Sequence, residues 1–353
     1  MIQQDGSGEV NLTENNAVDV QAVWSPDGTK VAFVTDRDGD REIYTMAADG
    51  SRPTRVTTHS GDDLHPTWSP DGTQIAFTRV DDGKSDIYVV SEGGGEPTRL
   101  TDDGVGASPD WSPDGSRIVF ANGRDGNPEI YVMSVDGTSQ TRLTDDSASD
   151  GAPNWSPDGL KIVFESNRGG GAYDIFVMSW DGSGVTNLTT TDSDEGVPAW
   201  SPDGTRIAFM SDRAGGPQLF VASADGASPV RITSDPGLAT HPDWQPSTTT
   251  TTSSETTITT ETETTGTAEG QGDPVAGKEV FLGGSGCSGC HTLADAGTSG
   301  SVGPNLNETL PSYDLVIERV TNGQGGMPPF MDTLTEQQIQ DVAAYVSSVA
   351  GGS

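Results

Sequence analysis

Basic side chains are scarce: 18 Lys and Arg, only four of them Lys, stand against 53 Asp and Glu in 353 residues, for a formal net charge of −35. That surplus repels nucleic acid and anionic membrane surfaces, so basic-patch functions are excluded and cationic or basic partners favoured. Apolar residues are also few, at 31%, and no run of them is long enough to span a bilayer. Met1 to Thr13 has neither a basic start nor an apolar centre, so no export signal is visible. Residues 1–245 contain no Cys, no G-x-S-x-G elbow and three His, His59, His65 and His241. A hydrolase or metalloenzyme centre is hard to assemble from that stock. What is abundant is turn chemistry, 46 Gly and 22 Pro, the profile of many short strands with a disordered component.

The turns recur. WSPDG begins at Trp24, Trp68, Trp111, Trp155 and Trp200, with a decayed WQP at Trp244, at spacings of 44, 43, 44, 45 and 44 residues. Each unit reads as a strand ending on Trp, a Ser-Pro-Asp-Gly hairpin turn, a VAF or IVF strand, a second Asp/Gly-rich turn, an EIYTM-like strand and a short TRLT-like strand. Four strands per 40 to 45 residues is the pattern of a propeller blade, and ring closure removes the free edges of weakly apolar strands. Five units are complete. MIQQDGSGEVNLT aligns with VMSWDGSGVTNLT (Val177 to Thr189), matching Asp5-Gly6 to Asp181-Gly182 and Asn11-Leu12-Thr13 to Asn187-Leu188-Thr189. The expectation is a sixth blade shared between the two ends, lacking at least its second strand, with the chain truncated at its start. The WSPDG units resemble the TolB-type six-bladed propeller over residues 1–245. That resemblance implies a fold and leaves the function open among docking platform, enzyme accessory and scaffold.

Residues 246–272 differ in kind. Thirteen of the twenty residues from Thr248 to Thr267 are Thr, interspersed with Glu, and this composition predicts a disordered linker.

Both cysteines of the chain fall in the third region, 273–353, in Cys287-Ser-Gly-Cys290-His291. C-x-x-C-H is the attachment pattern of c-type haem: two thiols add to the two porphyrin vinyl groups and the adjacent imidazole becomes an iron ligand. A C-x-x-C can also be a redox dithiol or half of a zinc site, but no further Cys or His follows His291 and no βαβ setting surrounds it. Asp273-Pro274 starts a short helix carrying Phe281. Thr335 and Gln338 form a capping box ahead of a helix with Ile339, Val342, Ala343 and Val346 on one face. Between the helices lies Gly-Gly-Met327-Pro-Pro-Phe330, whose prolines hold the loop extended.

Over about 80 residues these features resemble class I monohaem cytochromes c, through Cys287 to His291, Gly303-Pro304-Asn305-Leu306 and Met327 to Phe330. The resemblance implies a small all-α domain with one haem c. It makes His291 and Met327 the axial ligands, has the Pro304 carbonyl orient the His291 ring, and uses Tyr345 to pack the terminal helices. Met331 is the rival of Met327. His/Met ligation gives a relatively high potential and leaves no open iron position, so the haem passes electrons.

In the propeller, the position five before each Trp holds Asp19, Asp63, Gly106, Asp150, Glu195 and Ala239. With the Trp strand innermost, four carboxylates ring one tunnel mouth, a candidate site for Ca²⁺ or a basic peptide. Ordinary solvated strand starts are the plainer reading. Asp36 to Glu42 is acidic but lacks the glycine of a calcium loop and reads as a hairpin turn. The sequence therefore predicts an extracytoplasmic electron-transfer protein, at the periplasm or cell surface of a bacterium or archaeon, whose propeller docks a partner while the cytochrome exchanges electrons with a redox protein. The alternatives are a propeller dehydrogenase with the cytochrome as its electron outlet, and an interaction scaffold without redox role.

Overall fold

The computed structural model describes residues 1–3, 5–233 and 240–246, then 278, 281, 292–293, 298–299, 316–317, 319–320 and 334–349. The chain forms two compact units, Met1–Thr251 and Thr252–Ser353. The linker expected at 246–272 lies, beyond Pro246, outside the described residues. Among the described residues no helix is long and apolar enough to cross a membrane.

In the first unit each complete repeat folds into a four-stranded antiparallel meander. Blade 1 consists of β1 (Asp19–Trp24), β2 (Lys30–Thr35), β3 (Glu42–Ala47) and β4 (Thr54–Arg55). Blades 2 to 5 repeat the order over residues 62–99, 106–142, 150–187 and 195–231. The WSPDG turn is built alike each time. In blade 1, Gly28 N–H donates to the Ser25 carbonyl (2.8 Å), and Ser25 Oγ accepts from Lys30 N–H (2.9 Å) while donating to Asp27 (2.7 Å). Gly28 takes φ +67°, which closes the hairpin with the handedness of the strands. Residues 36–41 form the hairpin turn between β2 and β3, as expected.

The core lies between blades. Phe33, Phe77, Phe120, Phe164 and Phe209 are all but wholly buried, and each meets an aromatic ring of its own third strand at 5.8 to 6.1 Å between centroids. Trp68, Trp111, Trp155 and Trp200 each pack with the apolar face of the preceding blade; Trp111, for example, lies with Ala76, Ile87 and Val89 of blade 2. First strands of consecutive blades contact one another, which makes them the innermost strands.

Five four-stranded sheets form, the five complete blades expected; the sixth blade of the TolB-type resemblance does not form a sheet, because among the described residues the two ends supply no second strand to bridge the split remainder. Met1 and Val10 exchange both main-chain hydrogen bonds (2.6 and 2.8 Å), the same pairing that Val177 and Thr186 make in blade 4. The Gly6 turn abuts the Ile232 carbonyl of blade 5, and Leu12 lies under Gly50 of blade 1. Residues 240–246 form no strand, yet the Trp244 indole donates to the Ala199 carbonyl (3.1 Å) and Asp243 accepts from Trp24 N–H (2.6 Å). Both ends thus occupy the station between blade 5 and blade 1.

The Asp-Gly turn between third and fourth strands fixes blade spacing. Gly182 adopts φ +85°, and a Cβ there would come within 2.6 Å of the Leu143 carbonyl of the previous blade. Gly182→Ala combines a left-handed backbone with a backbone clash, so it is expected to destabilise the propeller by at least about 2 kcal/mol in chemical denaturation. Gly170→Ala, in an equally left-handed but open position, is the control for backbone strain alone.

Candidate functional site

The ring of four carboxylates is present, but it is not a ring of free ligands. Asp19, Asp63 and Asp150 each accept from an arginine of their own blade, Arg37 (3.3 Å), Arg79 (2.7 Å) and Arg168 (2.6 Å), and Glu195 pairs with Arg213 in the same way. In blade 3, where Gly106 replaces the acid, Arg124 turns to Asp103 (3.0 Å). Each of these arginines also lies over aromatic rings of its blade, as Arg79 does over Phe77 and Tyr88 at 5.4 and 4.9 Å. The mouth is therefore nearly charge-balanced, and the group expected to hold Ca²⁺ or a basic peptide is already neutralised; Ala239 lies outside the described residues. Among the described residues no cluster of three or more His, Cys, Asp or Glu could hold a metal ion.

Three further carboxylates have no arginine partner among the described residues. Each first strand carries a β-bulge, and the residue three before Trp is left-handed at all six stations: Gln21, His65, Ser108, Ala152, Val197 and His241 (φ +44° to +56°). The bulge frees main-chain N–H groups that neighbouring blades satisfy with side chains. Gln21 accepts from His65 (2.8 Å), Thr78 from Ser108 (3.0 Å) and Glu165 from Val197 (2.9 Å). One step before Trp, Asp110 accepts from Trp155 N–H (2.8 Å), Thr67 Oγ1 (3.0 Å) and Asn154 Nδ2 (3.1 Å). Burial pushes the Asp110 carboxyl up to about 7, with a further contribution from Asp243, three stations away across the axis. Asp243 is open to water yet ringed by protein, and burial raises it to about 6. Burial also raises Glu165. None of the three forms an ion pair with a described residue.

In the second unit the capping box forms as read. Thr335 N–H donates to Gln338 Oε1 (2.9 Å) and Gln338 N–H to Thr335 Oγ1 (3.2 Å), starting α1 (Glu336–Val349). Ile339, Val342, Ala343 and Val346 are buried on its inner face with Phe281, Val316 and Val320. Tyr345 meets Phe281 edge-on at 5.9 Å and 66°, so the first and last helical segments pack through aromatic rings. Thr292–Leu293 pairs antiparallel with Thr298–Ser299 directly after the CxxCH motif, a two-stranded addition to an otherwise helical reading. Cys287, Cys290, His291, Pro304, Met327 and Met331 lie outside the described residues.

Sequence comparison agrees with this division. The TolB beta propeller domain profile matches residues 1–106, 64–193 and 170–265, three overlapping stretches that together cover most of the chain. The chain belongs to the TolB β-propeller domain family. TolB from Acinetobacter baumannii superposes with a TM-score of 0.63 at 25% identity, over 69% of this chain and 61% of that one. The chain thus spans less than two thirds of that protein's length. The putative TolB from Agrobacterium tumefaciens superposes with a TM-score of 0.57 at 28% identity, over 63% of this chain and 82% of that one. The profile for subunit III of cbb3-type cytochrome c oxidase matches residues 272–346. Cytochrome c6 of Rippkaea orientalis is 37% identical over 83 residues, 22% of this chain and 73% of that protein. The TolB propeller is therefore fused to a cytochrome c domain, which implies covalently bound haem and electron transfer.

Two features of this TolB propeller escaped sequence reading. The first is the arginine that clamps the mouth carboxylate, although a visible signal exists in the Arg of TDR, SNR and SDR after the second strand. The second is the axial Asp110, which carries no local signature because its isolation arises from opposing stations. Its titration makes a prediction. A folded-state pKa raised from 3.8 to about 7 means that the stability this group contributes is full below about 4 and lost as pH rises to about 7. Asn mimics the protonated acid and can keep the Trp155, Asn154 and Thr67 contacts. Asp110→Asn is expected to be near neutral at pH 4.5 and stabilising by about 1–3 kcal/mol at pH 8 in denaturant titrations.

Proposed function

We propose that this protein is an extracytoplasmic one-electron carrier whose TolB propeller docks a protein partner and whose cytochrome domain exchanges electrons with a redox protein. The observation that carries the reading is the donor set. The only two thiols of the chain lie three residues apart beside an imidazole, within a domain of cytochrome c kinship. Two thiols, an imidazole and a thioether fit haem c and fit little else. In this reading Cys287 and Cys290 supply the thioether links, His291 and Met327 the axial ligands, and the Pro304 carbonyl the hydrogen-bond acceptor that orients the His291 ring. Haem bound in this way supplies reversible one-electron oxidation and reduction. The apolar core around Phe281, Val342 and Tyr345 would help exclude water from such a group, and His291 and Met327 would hold its iron so that no substrate competes for it. Docking at the propeller is supported by the net negative charge of the chain, which favours a partner presenting basic groups.

The test pairs two methionine variants. Met327→Ala is expected to lower the reduction potential and let added imidazole bind the ferric protein, while Met331→Ala leaves both unchanged. The reverse pattern reassigns the ligand. Reduction of the haem by a small organic substrate alone, with no protein partner, contradicts the carrier reading.

A further inference from the structure

Three consecutive stations of the propeller present nitrogen and amide donors on one arc of its axial face. His241 comes from the segment at the incomplete station, Gln21 from blade 1 and His65 from blade 2, each from the left-handed bulge position three before its Trp. We propose that His65 and His241, with Gln21 between them, bind a divalent transition-metal ion of the zinc or copper class through their two imidazoles.

The ring centroids of His65 and His241 lie 6.1 Å apart at 34°, a separation that two metal–nitrogen bonds of about 2.0–2.1 Å can span. Each ring has a nitrogen without a strong partner. His65 Nδ1 is buried and accepts or donates no hydrogen bond. His241 Nε2 has only the Gln21 amide nitrogen, at 3.4 Å. The other nitrogen of His241 lies 3.1 Å from Thr240 Oγ1. The Gln21 amide nitrogen can only donate, so His241 Nε2 carries the lone pair and Nδ1 the N–H toward Thr240, the arrangement by which a hydroxyl or carbonyl orients a metal-binding imidazole. Gln21 is fixed in turn by accepting from His65 N–H (2.8 Å).

Ser108, Ala152 and Val197 occupy the other three bulge positions and offer no nitrogen ligand. Among the described residues no third His, Cys, Asp or Glu closes the set, so water would complete the coordination sphere and leave exchangeable positions.

The experiment uses the full-length ferric protein. Equilibrium dialysis against Zn²⁺, with excess Mg²⁺ and salt to saturate surface carboxylates, is expected to show one bound equivalent. Binding weakens by at least about tenfold in His65→Ala and in His241→Ala, and is unchanged in His59→Ala. Copper(II) electron paramagnetic resonance on the unaltered protein removes any dependence on variant folding, and hyperfine coupling to two nitrogens is expected. Binding that is equal in all variants, no stoichiometric Zn²⁺, or a copper spectrum with oxygen ligands alone overturns the proposal.

Discussion

Replacing both Cys287 and Cys290 with Ala is expected to reduce covalently retained haem to background while the propeller keeps its β-sheet circular dichroism. The two effects separate because the chain forms two compact units and the blades contain no cysteine. With no other thiol in the sequence, no alternative thioether can form elsewhere. Each single replacement retains one link and a shifted visible spectrum. His291→Ala keeps both sulfur links and loses the low-spin spectrum, because a ligand and not an attachment is removed. Retention of haem in the double variant after acid-acetone extraction contradicts the assignment.

The second large effect lies in the propeller. Asp63→Ala is expected to destabilise it by about 3–5 kcal/mol. Asp63 is wholly inaccessible and takes both Nε (2.7 Å) and Nη2 (2.8 Å) of Arg79, itself 9% exposed. Removing the acid strands a cation among Phe77 and Tyr88, whose ring faces compensate in part. Asp63→Ala with Arg79→Met removes the stranded charge and is expected to recover much of the loss. The pair Lys30–Glu92 is equally short at 2.6 Å, but its side chains are 43% and 35% exposed, so Glu92→Ala is expected to change stability by less than about 1 kcal/mol. Denaturant midpoints of the four proteins distinguish burial from mere proximity.

The blades were legible because their sequence signals are local. Trp ends a strand, Ser-Pro-Asp-Gly fixes a hairpin, and the unbroken apolar runs VAF and IYV mark strands buried on both faces. The meeting of the two ends was legible too, since Asp5-Gly6 and Leu12 align with residues whose blade contacts they reproduce. The left-handed bulges were hidden, because Gln21, Ser108, Ala152 and Val197 are not residues that announce a positive φ. The balance of charge at the mouth was hidden for a different reason. Asp19 and Arg37 are 18 residues apart and meet only when β1 and β2 pair. The haem motif is a matter of residue type and spacing, which sequence carries in full.

The claim on which the functional reading rests is that haem is bonded to Cys287 and Cys290. Intact-mass spectrometry of the denatured protein, from a host able to mature c-type cytochromes, tests it most directly, together with the alkaline pyridine spectrum of the reduced sample. The expected result is one haem added to the polypeptide mass and the band of a porphyrin with both vinyl groups saturated. A bare polypeptide mass, or haem that leaves on denaturation, contradicts it.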